Sequence, residues 1–469
     1  MNRILASSLA TLIATSVVLA ETKPAVPPAP GAPAAPAAPS KFKPLVDSLD
    51  LKDGDTLVFL GDSITHQCLY TQYIEDFFYT RYPKVHIHFH NSGVGGDRAK
   101  DALIRFDEDV AAYKPKYVTI LLGMNDGAYK DFDKAIFDTY QQDMGTLLDK
   151  IAGLGATAIP MTPTMFDART KRMIGKTLEP RDTYYNGVLS LYGTWLREQA
   201  ETRGLGFVDM WSPLNDLTMT TRKKTPEFTM IPDGVHPAAP GQAVMAVAML
   251  EDIVPRSQCT QIMIDEKAGK LVPTANGGKV NDFNGTDSGV SFSFAADKLP
   301  WVLPPDAADG YKLTHAGHHY SNEKVSVRGL KPGRYEFKID GQLIGIFTAG
   351  QLGFGVELEE NQKTPEYQQA LKVALLNKQR NDEAYHPLRD QYRDLKGKRN
   401  ALAKIGESDP QYAAKKGEFD EWYKGQKAKV AELLAKAQDF EGQIYQANQP
   451  ATHKYEFTPA PEAPAQAKK

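Results

Sequence analysis

From about residue 42 to residue 255, short apolar runs alternate with longer stretches of helical period. The run DTLVFL at 55–60 has the length and side-chain content of a buried strand, and 66–81 then places apolar residues at helical spacing. The same pairing follows at 85–91 and 97–113, at 117–122 (YVTILL) and 133–152, and at 156–161 and 181–202. A brief strand at 206–209 and a helix at 241–253 close the series. Strands and helices alternating in this way predict an α/β fold, with a five-stranded parallel sheet covered on both faces. In such sheets the functional groups gather beyond the carboxyl ends of the strands.

The period then changes. From about 258 to 350, SGVSFSFA at 288–295, the stretch 324–328 and RYEFKI at 334–339 alternate polar and apolar residues. Asp340-Gly341 is a hairpin turn signal, with a further strand at 342–347, so 256–350 reads as a β-rich accessory region. The region 351–457 is charged and helical: 365–446 holds 15 Lys or Arg and 13 Asp or Glu in 82 residues. Thr364-Pro365-Glu366 is a helix start, and Ser408-Asp409-Pro410 divides the stretch into two long helices. That charge density predicts a solvated hairpin resting one apolar stripe on the body, and no heptad is sustained long enough for a coiled coil. TPAPEAPAQAKK at 458–469 reads as a Pro/Ala tail.

At the amino end, Arg3 precedes an apolar run at 4–20 that closes on Val18-Leu19-Ala20, a small-x-small cleavage pattern. Residues 1–20 therefore read as a signal peptide, slightly short for a membrane span, and no cysteine follows to carry a lipid. Residues 21–41 form a spacer, with seven Pro and seven Ala in 22–40. The expectation is a secreted or periplasmic protein with no stable membrane insertion after cleavage. Composition narrows the picture further. In 469 residues, 55 Lys and Arg nearly balance 58 Asp and Glu, so there is no basic excess to hold nucleic acid. Cys68 and Cys259 are the only cysteines, which excludes a disulfide-dense scaffold or a Cys-rich zinc module and permits one bridge at most.

Four short segments carry candidate chemistry. Gly61-Asp62-Ser63-Ile64-Thr65 follows the first strand and opens a helix, which exposes the serine near helix-start amides. Asn91-Ser92-Gly93-Val94-Gly95-Gly96-Asp97 follows the second strand, and its glycines let backbone amides approach a ligand. Gly123-Met124-Asn125-Asp126 follows the third strand and offers a side-chain amide to a developing oxyanion. Asp233-Gly234-Val235-His236-Pro237 precedes the last helix and supplies an imidazole with a carboxylate three residues away. Each alone is compatible with ordinary turn and capping chemistry. Together, and in this order, they are not.

In these four blocks the stretch from about 45 to 255 resembles the SGNH (GDSL-type) hydrolases, with GDSIT standing for GDSL. The resemblance implies a flavodoxin-like three-layer fold over 42–255, with Ser63 as nucleophile, His236 as general base and Asp233 as its orienting acid. It implies an oxyanion hole made of the Ser63 amide, the Gly96 amide and the Asn125 side chain, with Gly95 as the neighbouring alternative to Gly96. The reaction so implied is hydrolysis of a carboxylic ester, rising in rate through about pH 6–7 as a base histidine loses its proton, with no cofactor and no metal. An acylated small molecule or polysaccharide is the expected partner, and O-acetyl groups on extracellular carbohydrate are the preferred substrate. A lipid esterase, lysophospholipase or thioesterase is the first alternative, and a catalytically degenerate glycan- or wall-binding protein the second. Outside the blocks, His315, His318 and His319 form HAGHH without evident carboxylates at ligand spacing, and His86, His88 and His90 alternate as packed strand histidines. Trp211 follows the last strand, where it either flanks the pocket or packs in the core.

Overall fold

In the computed structural model, residues 42–173, 180–256 and 258–461 are described. The first strand, β1 (Thr56–Gly61), leads into a one-turn helix α1 (Ser63–His66) and then α2 (Leu69–Arg81). The expected single helix at 66–81 is broken at Cys68, which takes a left-handed conformation (φ 58°) and redirects the chain. Next come β2 (His88–Gly93), α3 (Ala99–Asp109), β3 (Tyr117–Leu121), α4 (Lys134–Gly153) and β4 (Thr157–Pro160). Four helices complete this part: α5 (Ala168–Met173), α6 (Pro180–Arg203), α7 (Trp211–Arg222) and α8 (Ala239–Ile253). The strands pair in parallel in the order β2-β1-β3-β4. Strand period separates two cores: Leu57 and Phe59 pack with α2 and α8, while Val58 and Leu60 pack with α3, α4 and α6.

The sheet has four strands and not the expected five. The segment 206–209 does lie beside β4, where Val208 N–H donates to Pro160 O and its carbonyl accepts from Thr162 N–H. It makes only isolated parallel bridges, Met161 to Val208 on one side and Val46 to Gly206 on the other, because the chain enters α7 at Trp211 before a ladder can form. Helix α7 has no counterpart in the sequence reading.

The β-rich region begins with β5 (Thr260–Lys267), β6 (Lys270–Asn276), β7 (Gly278–Thr286) and β8 (Gly289–Ala296). Two short helices, α9 (Ala308–Leu313) and α10 (Ala316–Tyr320), precede β9 (Glu323–Val327), β10 (Arg334–Ile339), β11 (Gln342–Thr348), α11 (Ala349–Phe354) and β12 (Val356–Glu357). A four-stranded sheet, β12-β9-β5-β6, accompanies a five-stranded antiparallel sheet, β11-β10-β13-β8-β7. The strand β13 (Thr452–Pro459) comes from the far end of the chain and pairs with β10 on one side and β8 on the other. The expected boundary between helical region and tail at 457/458 therefore falls inside a central strand. Tyr455 and Phe457 point into the apolar core of this region beside Phe292 and Phe337.

Between these strands run α12 (Pro365–Arg380), a π-helical turn over Asn381–Tyr385, α13 (His386–Ile405) and the antiparallel α14 (Tyr412–Ala447). The expectation of a solvated hairpin seated on one apolar stripe is corrected here. Arg380 and Arg389 are fully buried, and they carry the contact together with Leu388, Leu433 and Ala437. Arg380 meets Glu75 and the Phe89 carbonyl, Asn377 donates to Asp76, and Arg389 grips both carboxylate oxygens of Asp109 at 2.7 and 3.0 Å. Twelve of the thirteen residues of α2 are buried as a result. From Phe42 onward the chain clusters as one compact unit.

Candidate active site

The serine turn is built by close approach. A Cβ on Gly93 would lie 2.3 Å from the backbone nitrogen of His66, so only glycine lets β2 pass the one-turn helix that carries Ser63. Asp62 caps that helix by accepting from Ile64 N–H at 2.9 Å. Burial pushes the Asp62 carboxyl up to about 7. Ser63 sits at the first helical position, beyond the carboxyl end of β1.

The distant loop before α8 meets this turn. Ser63 Oγ lies 2.8 Å from His236 Nε2, and His236 Nδ1 lies 2.6 Å from Asp233 Oδ2. The other oxygen of Asp233 accepts from the backbone N–H groups of Val235 (2.9 Å) and His236 (2.7 Å). Partial burial opposes ionisation of Asp233, but these donors and the His236 ring outweigh it and hold the carboxyl below its usual range. A carboxylate on Nδ1 selects the tautomer whose Nε2 accepts a proton from Ser63. The side chains of His236 and Asp233 are 35 % and 55 % exposed, so the constellation lies open at the surface.

Gly95 and Gly96 of the second block lie beyond β2, and their amides separate their roles. Gly95 N–H donates to His66 Nδ1 at 3.3 Å. Gly96 takes φ +73°, and among the described residues its N–H has no acceptor. Of the two amides, that of Gly96 is thus the one left without a partner among the described residues. Asn125, beyond β3, is fixed by Tyr129, whose hydroxyl donates to Oδ1 at 3.1 Å. Its Nδ2 donates to the Asp97 carbonyl at 3.1 Å and reaches towards Asp62 Oδ2 at 3.4 Å. Arg105 ties the blocks together from α3, donating to Asp97 Oδ2 and to the carbonyls of Gly61 and Ser92. The five residues singled out in the sequence therefore lie on converging loops at one end of the sheet.

Sequence reading missed the surroundings. Lys396 of α13 donates to the Gly96 carbonyl at 2.8 Å and to Asp97 Oδ1 at 2.9 Å, from 300 residues away. No local pattern marks it among the hairpin's other lysines. Two clusters have metal-ligand chemistry. His318 stands beside Glu357 and Glu359, carboxylates that HAGHH itself did not reveal, and His66 stands beside His386 and Asp390. In the second, the Gly95 N–H at Nδ1 leaves the ring hydrogen on Nε2, and Arg393 already holds Asp390 at 2.9 Å, so the donor set does not suit a cation. His86 and His88 are half exposed on Asp53 and Glu441, and only His90 is packed inside. Trp211 bridges both apolar cores, with Nε1 donating to Asn186 Oδ1 at 2.9 Å. Cys68 and Cys259 are separate buried thiols.

Residues 59–244 match the GDSL-like lipase/acylhydrolase family. The chain is 26 % identical over 228 residues to an acetylxylan esterase of Geobacillus stearothermophilus, covering 44 % of this chain and 96 % of that one. The crystal structure of an acetylxylan esterase from that organism aligns at 25 % identity over 44 % of this chain and 97 % of its own, with a TM-score of 0.36. A gut microbial diltiazem-metabolizing enzyme shares the fold more widely: TM-score 0.75 at 23 % identity, over 89 % of this chain and 100 % of that one. The hydrolase part with its β-rich and helical additions is thus a recurring arrangement. Over 59–244 the chain is therefore similar to the GDSL-like lipase/acylhydrolases, and the comparisons support a serine esterase.

Proposed function

We propose that this esterase removes O-acetyl groups from extracellular carbohydrate through Ser63, His236 and Asp233. The observation that carries the mechanism is the 2.8 Å approach of Ser63 Oγ to His236 Nε2, with Asp233 behind the ring. His236 takes the Ser63 proton as Oγ attacks the acetyl carbon. Negative charge then develops on the carbonyl oxygen, opposite the amides of Ser63 and Gly96 and the Nδ2 of Asn125, which exchanges its long 3.4 Å contact with Asp62 for the oxyanion. Each such donor contributes about 2.7–4 kcal/mol to the transition state. The sugar hydroxyl leaves with the proton from His236. Water then repeats the attack on the acetyl-serine and releases acetate.

Two observations support the carbohydrate. The acetylxylan esterase is matched along nearly its whole length. The exposed His236 and Asp233 also suit an ester borne on a polymer, which reaches an open surface without threading a tunnel. The apolar residues 4–20 and the Pro/Ala segment that follows support export to the secreted or periplasmic space; they lie outside the described residues. Among the described residues, no helix is long and apolar enough to cross a membrane.

The test is acetate release from a panel of acetylated polysaccharides, beside p-nitrophenyl acetate and a long-chain ester, with wild type and Ser63→Ala run together. The expected result is release from a polysaccharide, reduced about 10⁴-fold or more in the variant. A preference for the long-chain ester would move the substrate to lipid. Equal activity of wild type and Ser63→Ala on every ester would overturn the mechanism.

A further inference from the structure

The oxyanion loop has a mechanical difficulty. Gly95 and Gly96 are adjacent, and two successive glycines leave the backbone wide freedom at the point where one N–H has to be aimed. The structure braces the peptide joining them from both sides. On the amino side, Gly95 N–H donates to His66 Nδ1, while the opposite ring nitrogen, Nε2, makes no hydrogen bond among the described residues. Burial pushes His66 down to about 4, helped by His386 and Arg389, so the ring stays neutral and keeps its lone pair on Nδ1 for Gly95. On the carboxyl side, Lys396 Nζ donates to the Gly96 carbonyl and to Asp97 Oδ1, while the Asp97 carbonyl accepts from Asn125. Between the two braces, Gly96 N–H is left without an acceptor among the described residues.

The outer member on the carboxyl side, Lys396, belongs to the helical hairpin, on α13. Helix α13 itself is anchored by Arg389 on Asp109, both fully buried.

We propose that the hairpin is part of the esterase's catalytic apparatus: Lys396 is a positioning residue that, opposite His66, clamps the Gly95–Gly96 peptide so that the Gly96 amide is held for the oxyanion. This rests on the Ser63 mechanism above and assigns the appendage a role in it. A clamp of this kind acts on transition-state stabilisation and leaves substrate binding nearly untouched.

The experiment compares full-length wild type, Lys396→Met, Lys396→Arg, Ser63→Ala and Lys404→Met, an exposed lysine further along the same helix. The substrate is p-nitrophenyl acetate, and active enzyme is counted by titration with a p-nitrophenyl phosphonate. In Lys396→Met, kcat per titrated site is expected to fall about 10- to 100-fold with KM within about twofold, the size of loss that a small misplacement causes. The rate of phosphonylation should fall by the same factor, because that reaction builds charge in the same hole. Lys396→Arg should regain most of the loss, and Lys404→Met should match wild type. A lysine that only stabilised the fold would lower the titrated fraction and leave kcat per site unchanged; that result overturns the proposal. So does a fall in kcat with unchanged phosphonylation. If Ser63→Ala keeps wild-type kcat, the serine mechanism fails. If Ser63→Ala is inactive while Lys396→Met keeps wild-type kcat, only the clamp fails.

Discussion

Neighbouring residues of one type do different work when their hydrogen-bond partners differ. Gly95 gives its amide to a histidine, whereas Gly96 keeps its own clear of the protein. The three strand histidines diverge in the same way. His90, unlike His86 and His88, is buried against Asp109 at 3.0 Å and stacked on Tyr113. Burial pushes His90 down to about 4, despite the pull of Asp109 in the opposite direction. The sign of its effect on stability follows. An unfolded chain protonates this histidine below about pH 6.5, the folded one only near 4, so stability present at neutral pH is lost as pH falls across that window. The shift corresponds to about 3 kcal/mol. Urea unfolding of wild type and His90→Gln at pH 7 and pH 4.5 checks this: wild type should lose about 2–3 kcal/mol more than the variant on acidification. Parallel losses in the two proteins would show that another group sets the slope.

At the scale of elements, the most consequential contact is that of α13 with α3 and β2. Asp109 accepts from Arg105, Arg389, His90 and Ser92, and it is fully buried. Arg389, the His90 hydrogen bond and Arg105 hold its carboxyl well below the usual range against the burial that opposes them. Removing one partner from such a group costs more than the pair itself contributes, because a charge is left uncompensated in the interior. Arg389→Met should therefore lower stability by about 3–5 kcal/mol, measured by urea unfolding at pH 7. A loss under about 1 kcal/mol, the range of exposed ion pairs, would show that Arg105 suffices for Asp109. The charged hairpin was legible as helix from Thr364-Pro365-Glu366 and from its composition. Its mode of packing was not legible, because an arginine destined for a buried carboxylate and one destined for solvent look the same in sequence. The break at Cys68 was hidden because burial of nearly every residue of α2 leaves no apolar stripe to mark where that helix begins, and α7 was hidden because it buries only Leu214, Thr218 and Arg222.

At the scale of the whole molecule, chain order and spatial order part company. The strand β13 closes the accessory sheet between β8 and β10, and the helices before it cover α2 of the hydrolase part. A chain ended at residue 364 would leave β8 and β10 without the strand between them and would uncover Glu75 and Asp76, whose partners are Arg380, Asn381 and Asn377. Such a truncation is expected to yield no monodisperse, folded protein, as read by size exclusion and near-UV circular dichroism. A soluble truncated monomer with full esterase kcat would show that the hydrolase part stands alone and would remove the hairpin from the mechanism. The sequence by itself determined the parallel α/β class, the order of four strands and the loops that bear Ser63, Gly96, Asn125, Asp233 and His236, because those features rest on local period and on short blocks that follow strand ends. It could not determine that the fifth strand shrinks to isolated bridges, that residues 452–459 re-enter a sheet, or that Lys396 meets Gly96. These depend on partners hundreds of residues apart, and only the packed tertiary structure brings such partners within hydrogen-bonding distance.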